Sequence, residues 1–212
     1  MRLNRSVNTH NQSVENSKRE KGNNTMDTKE LIVQSAKQLF ATEGYHATSM
    51  SKIANACNKN KATLYHYYKS KEILYNEILA IYLHDLQANI GRRTLPLPDA
   101  MEQIKAYIAV LIEQDSEILG IINRQILDGY DYLSQENLSS LQKIQKSFDA
   151  IFKLGISSGE FQMMSPKTIY HIIFGACSHY VITNRFLKDE QKKEEKFFLE
   201  ELFEMVSTFI KA

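Results

Sequence analysis

Apolar side chains recur along this chain at three- and four-residue steps, the period of an amphipathic helix. Leu31, Ile32, Ser35, Ala36, Leu39 and Phe40 make one such stripe and predict a helix over 27–43, stopped by Gly44. A second helix is expected over 48–56, capped by Thr48 or Ser49, with Met50, Ile53, Ala54 and Cys57 facing inward. Residues 57–60 form a tight turn, in which Asn58 can take the left-handed conformation. Asn60 is the expected cap of a very short helix over 61–67. Ser70 caps a fourth, running to about residue 89, with Gly91 beyond it. Further helices are expected over 98–114 (starting at Pro98), 117–127, 135–157, 166–186 (starting at Pro166) and 190–210. No alternating strand pattern occurs, so the fold class is all-α with about nine helices.

Residues 1–26 break the pattern. They are polar, rich in Asn and Ser and without periodicity, so this segment is expected to be disordered. It is either an extension ahead of Met26 or a basic arm that touches DNA phosphates. The domains are therefore expected at 27–75 and 76–212.

Charge separates the two parts. Residues 1–75 hold 12 Lys or Arg against 6 Asp or Glu, and residues 76–212 hold 14 against 19. From Tyr45 to Lys71 there are five lysines and no acid. A basic front and an acidic back point to a polyanion partner for the front alone. Two distant cysteines, Cys57 and Cys177, give no disulfide framework and suit a reducing compartment. No apolar leader or run of eighteen apolar residues is present, so a cytoplasmic protein with no membrane partner is expected.

Two short helices joined by a tight turn make a helix-turn-helix, which sets its second helix in the DNA major groove. Leu64 and one or two tyrosines would hold that helix in place. Lys59, Lys61, Ala62, Thr63 and His66 would then face outward, where small and cationic side chains approach base edges and phosphates. Thr48 is placed to offer a phosphate its hydroxyl, and Lys69 and Lys71 flank the far side. The alternative for such lysines is an ordinary solvated face, and for the tyrosines an ordinary core.

The stretch "LIVQSAKQLFATEGYHATSMSKIANACNKNKATLYHYYKSKEILYNEIL" resembles the DNA-binding region of TetR-family transcriptional regulators. The resemblance rests on Leu39-Phe40, Gly44-Tyr45, Ala47-Thr48, Ile53-Ala54, the run Leu64 to Tyr68, and Ser70 to Leu74, and it covers roughly residues 31–79. It departs in the turn. Where the family usually has Ala-Gly-Val-Ser-Lys-Gly, this chain has Cys57, Asn58, Lys59, Asn60, Lys61 and Ala62, and Lys59 replaces an apolar residue. The resemblance implies operator contacts at or near Thr48, Lys61, Thr63, Tyr65, His66, Tyr67 and Lys71, and Lys59, where the chain departs, is expected to snorkel or to reach a phosphate. Tyr67 and Lys71 would hold phosphates, and Lys61, Thr63 and His66 would lie nearest the bases. It further implies a homodimer on palindromic double-stranded DNA, joined through the last two helices. The apolar candidates there are Tyr170, Ile173, Phe174, Cys177, Val181, Phe198, Leu202, Met205 and Phe209, whose alternative role is to close a monomer core. The acidic half would bind a small-molecule effector. Tyr107, Leu111, Ile122, Gln125, Ile126, Phe148, Phe152, Phe174 and His179 are its candidate pocket.

The resemblance implies a ligand-responsive regulator, in the commoner mode a repressor, with no cofactor. Two other classes compete with it. One is a helical interaction module without specific DNA binding, which the basic stretch disfavours. The other is an enzyme or metal protein. No HExxH, paired-carboxylate or glycine-rich nucleotide pattern exists, and His171, Cys177 and His179 are poorly spaced for a tetrahedral site on a helix.

Overall fold

The computed structural model describes residues 27–184 and 191–212. The expected disorder of 1–26 lies outside these residues. Nine helices are found among them: α1 (Thr28–Ala47), α2 (Met50–Ala56), α3 (Lys61–Tyr67), α4 (Lys71–Thr94), α5 (Ala100–Ile112), α6 (Ser116–Leu127), α7 (Gln135–Ser158), α8 (Pro166–Asn184) and α9 (Gln191–Ile210). The class is all-α, with one isolated bridge between Phe161 and Lys211.

Side chains write most of the helix starts. Ser49, Asn60, Ser70, Asp99, Asp115 and Ser134 each accept a first-turn N–H of the helix that follows. Gly159 closes α7 in the left-handed conformation at φ 80°. Gly44 breaks the helical path of α1 at φ 85°, ψ 172°, after which the chain makes one more turn to Ala47. That backbone geometry suits glycine alone.

Several boundaries differ from the sequence pattern, two of them for reasons of packing and capping. Helix α4 runs through Gly91 to Thr94 because Ile90 and Thr94 are buried and the Thr94 hydroxyl donates to the Ile90 carbonyl (2.9 Å). That packing outweighs the ~1 kcal/mol helix penalty of a glycine. The next helix begins at Ala100 rather than Pro98, because Asp99 supplies the cap to Glu102 N–H (2.7 Å).

Helices α1 to α3 form a small head with Ile32, Phe40, Ile53 and Leu64 in its interior. The body centres on α5, which packs against α4, α7, α8 and α9. Helix α4 crosses the expected 75/76 boundary without interruption, and α1 packs along α6 of the body. One continuous apolar core therefore runs from the head into the body.

Candidate nucleic-acid interface and body cavity

The turn between α2 and α3 is built by two asparagines. Asn58 sits at φ 53°, which lets the Lys59 N–H reach back to the Ala54 carbonyl (2.9 Å). The Asn60 side-chain oxygen accepts both the Thr63 N–H (2.7 Å) and the Thr63 hydroxyl (2.9 Å). Leu64 and Tyr68 point inward, and the Tyr68 hydroxyl donates to Glu77 (3.1 Å).

The outer face of α3 carries Lys61, Ala62, Tyr65, His66 and Tyr67, all exposed, with Lys59 and Thr63 partly exposed beside them. His66 and Tyr67 meet edge to face at 5.4 Å. This face contains no acid. Tyr65 is 45% exposed, so of the tyrosines around α3 it is Tyr68 that joins the core.

Thr48 and Lys71 are placed differently. Thr48 is buried, and its hydroxyl donates to the Gly44 carbonyl (2.8 Å). The Lys71 ammonium donates to the carbonyls of Tyr45 (2.6 Å) and Thr48 (3.0 Å) and lies 3.9 Å over the Tyr45 ring. Burial lowers the Lys71 pKa. The Lys71 side chain thus ties the start of α4 to the end of α1, and the Thr48 hydroxyl closes that end on itself. Lys71→Met removes two charge-assisted hydrogen bonds and a cation–π contact, so it should destabilise the protein by ~2 kcal/mol. A thermal melt should show the midpoint falling by about 4–8 °C; an unchanged midpoint would mean the clamp contributes nothing.

The head is wired to the body at three places. Lys37 on α1 pairs with Asp115 (2.6 Å) and Glu117 (3.3 Å) at the start of α6. Burial alone would raise the Asp115 carboxyl, but Lys37 and the first amides of α6 outweigh it and hold the pKa below the usual range. Arg124, on α6, donates to the Thr42 carbonyl (3.1 Å). Tyr132, in the loop after α6, stacks on Tyr45 (4.5 Å, 19° between planes) and hydrogen-bonds His46. Asn76 of α4 fastens that loop by donating to the Tyr132 carbonyl (3.1 Å) and accepting the Ser134 N–H (2.7 Å).

Inside the body, α4 to α8 enclose a cavity of about 290 Å³. Leu111, Ile122, Ile126 and Phe174 of the expected pocket lie on its wall. Tyr107, Phe148 and Phe152 are fully buried core, with the Tyr107 hydroxyl given to the Ile144 carbonyl (3.0 Å). Gln125 is buried but lines a different cavity, of about 210 Å³, between head and body. His179 is exposed on α8. The sequence reading missed Tyr82, Leu86, Gln145 and His171 on the cavity wall, and it gave Tyr170, also on that wall, to another role. The i, i+4 step from Ile78 to Tyr82 to Leu86 on α4 was the available signal.

The expected dimer residues divide in the same way. Ile173, Cys177 and Leu202 are buried within the protomer, and burial raises the Cys177 thiol to about 12. Val181 and Phe198 are half-buried, with Phe198 stacked on Tyr180 at 3.9 Å. Met205 and Phe209 face outward, joined by Ile172 and Phe197, which the sequence reading left out. Cys177 is buried while His171 and His179 are exposed, so these three do not converge. Among the described residues no group of three His, Cys, Asp or Glu side chains is arranged to hold a metal.

The sequence of residues 32–78 matches the family model "Bacterial regulatory proteins, tetR family". Among curated relatives, the uncharacterized HTH-type transcriptional regulator YhgD of Bacillus subtilis is 27% identical over 148 residues, covering 68% of this chain and 76% of the relative. The HTH-type transcriptional regulator RutR of Escherichia coli K12 is 26% identical over 177 residues, covering 76% and 81%. Among solved structures, the ketosteroid transcriptional regulator KstR2 of Mycobacterium tuberculosis superposes with a TM-score of 0.75 at 18% identity, over 89% of this chain and 97% of that one. AibR in complex with isovaleryl coenzyme A and operator DNA gives 0.67 at 20% identity, over 84% and 97%.

Proposed function

The chain belongs to the TetR family of bacterial regulatory proteins, and we propose that it is a homodimeric repressor that releases a palindromic operator when a small molecule enters the body cavity. It is a regulator of transcription rather than an enzyme, and we place its action in the cytoplasm. The observation that carries the reading is the acid-free outer face of α3, held out by a buried Leu64 and an Asn60 cap. Lys59, Lys61, Thr63, Tyr65, His66 and Tyr67 are the side chains we assign to DNA. Lys61, Thr63 and His66 sit where base edges would be read, while Lys59 and Tyr67 sit where phosphates would be held. Thr48 and Lys71 act one step back, as the frame that orients α3.

The release mechanism follows from shared elements. Ile122 and Ile126 line the cavity on α6, and Tyr130 lines it in the following loop. The same helix and loop carry Arg124 and Tyr132 to the end of α1. A ligand that displaces α6 therefore loads the contacts that set the head's angle, and its differential affinity for the two angles is the regulatory energy. AibR, crystallised with both an acyl-coenzyme A and operator DNA, offers a parallel in a protein of the same fold.

Titration against a duplex from the chain's own upstream region, and against a scrambled duplex, tests the reading. Specific binding should weaken steeply with salt. Lys59→Ala should reduce the log–log salt slope by about one, while Lys61→Ala should narrow the gap between the specific and the scrambled duplex. Equal binding to both duplexes, a slope unmoved by Lys59→Ala, or a specificity unmoved by Lys61→Ala would refute this assignment of the DNA face.

A further inference from the structure

The cavity wall carries a chemical preference. Among the described residues that line it there is no Lys, Arg, Asp or Glu, and the one imidazole is His171. The acids nearest its tyrosines are not ligands for a cation in the cavity. Burial, with a smaller contribution from Asp115, raises the Tyr82 pKa, and Asp115 is engaged by Lys37. Asp149, which acts on Tyr170 in the same way, is not part of the wall. An ionised carboxylate entering this space would lose its hydration and meet no ammonium or guanidinium in return.

One polar group on the wall is unspent. The Tyr82 hydroxyl is buried and has no hydrogen-bond partner among the described residues. A buried donor left unpaired is costly, and a ligand that supplies an acceptor removes that cost.

We propose that the effector is an uncharged, largely apolar molecule with one hydrogen-bond acceptor, bound through the Tyr82 hydroxyl, and that ionised acids are rejected. This rests on reading the cavity as the effector site. The apolar part of the wall includes Leu86, Leu111, Ile122, Ile126 and Phe174, and Gln114, Gln142 and Gln145 add uncharged amides to it. The volume of about 290 Å³ suits a compact chain or small ring system rather than a nucleotide conjugate.

Calorimetry on the full-length protein with three matched ten-carbon probes tests it: methyl octyl ketone, decanoate and decylammonium. The ketone should bind at least ~10-fold tighter than either ion, the equivalent of about 1.4 kcal/mol. Tyr82→Phe should weaken the ketone about five-fold without lowering the melting temperature, because no protein partner is lost. Gln145→Lys places an ammonium on the wall and should raise decanoate affinity at least ~10-fold. Decanoate or decylammonium binding the unaltered protein as tightly as the ketone would overturn the proposal, as would a Tyr82→Phe variant that binds the ketone normally. Ile122→Trp fills the cavity and locates the binding. If the ketone still binds that variant, or if no probe binds either the unaltered protein or Gln145→Lys, the cavity is not the effector site, and both readings fall together.

Discussion

Aspartate at both Met205 and Phe209 should convert the protein to a monomer in sedimentation velocity and weaken operator binding by at least ~100-fold. Met205 is 61% exposed and Phe209 64%, and with Phe197 and Ile172 they spread large apolar surface over α8 and α9. An exposed apolar patch of this kind marks an association surface. In a monomer the new carboxylates sit in water and cost nothing. In a two-fold interface each side chain meets its own symmetry region, so the substitutions bury like charges without partners. The operator loss follows because a dimer presents its second head at a high effective concentration once the first is bound. Circular dichroism and the thermal melt should stay close to those of the unaltered protein. Retention of a dimer with normal operator affinity would move the interface elsewhere.

Leu64→Ala should do comparable damage to DNA binding by a different route. Helix α3 has seven residues, too few to persist alone. It is held by Leu64, which is fully buried, and by Tyr68 at its end. Truncating Leu64 should cost ~2–5 kcal/mol, the transfer term plus the cavity left behind. Amide exchange across α2 and α3 should accelerate by about 30-fold or more, and operator affinity should fall with the population of intact heads. Lys59→Ala, by contrast, should leave exchange unchanged while lowering the salt slope. Unaltered exchange in Leu64→Ala would show that α3 is anchored by something else.

Local chemistry explains how much was legible in advance. Ser49, Asn60 and Ser70 cap their helices through contacts three residues away, and Asn58 adopts its left-handed angle within a four-residue turn. Such features are complete in the neighbouring residues, so the nine helices and the helix-turn-helix could be written from the chain alone. The acid-free basic stretch from Tyr45 to Lys71 is likewise a property of sequence.

Which way a side chain faces is decided by contacts far along the chain. Thr48 and Lys71 resemble DNA-facing residues by position, yet in the fold the Thr48 hydroxyl is given to the Gly44 carbonyl and the Lys71 ammonium to the carbonyls of Tyr45 and Thr48. Phe198, Leu202, Met205 and Phe209 all read as one apolar stripe. In the fold α9 carries two: Leu202, Val206 and Ile210 face the body, and Phe197, Met205 and Phe209 face outward. Apolar periodicity reports that a face is buried, not what buries it. Tyr107 and Phe148 were as plausible for the cavity as Tyr82, since all are aromatic residues on inward faces. Only the meeting of five helices leaves space beside Tyr82 and fills it at Phe148. The helices, their caps, the turn and the basic face were readable along the chain, because these depend on residues within a few positions of one another. Tertiary structure alone decided the cavity, the head-to-body contacts and the outward face of α9, because each depends on how distant helices divide a shared core.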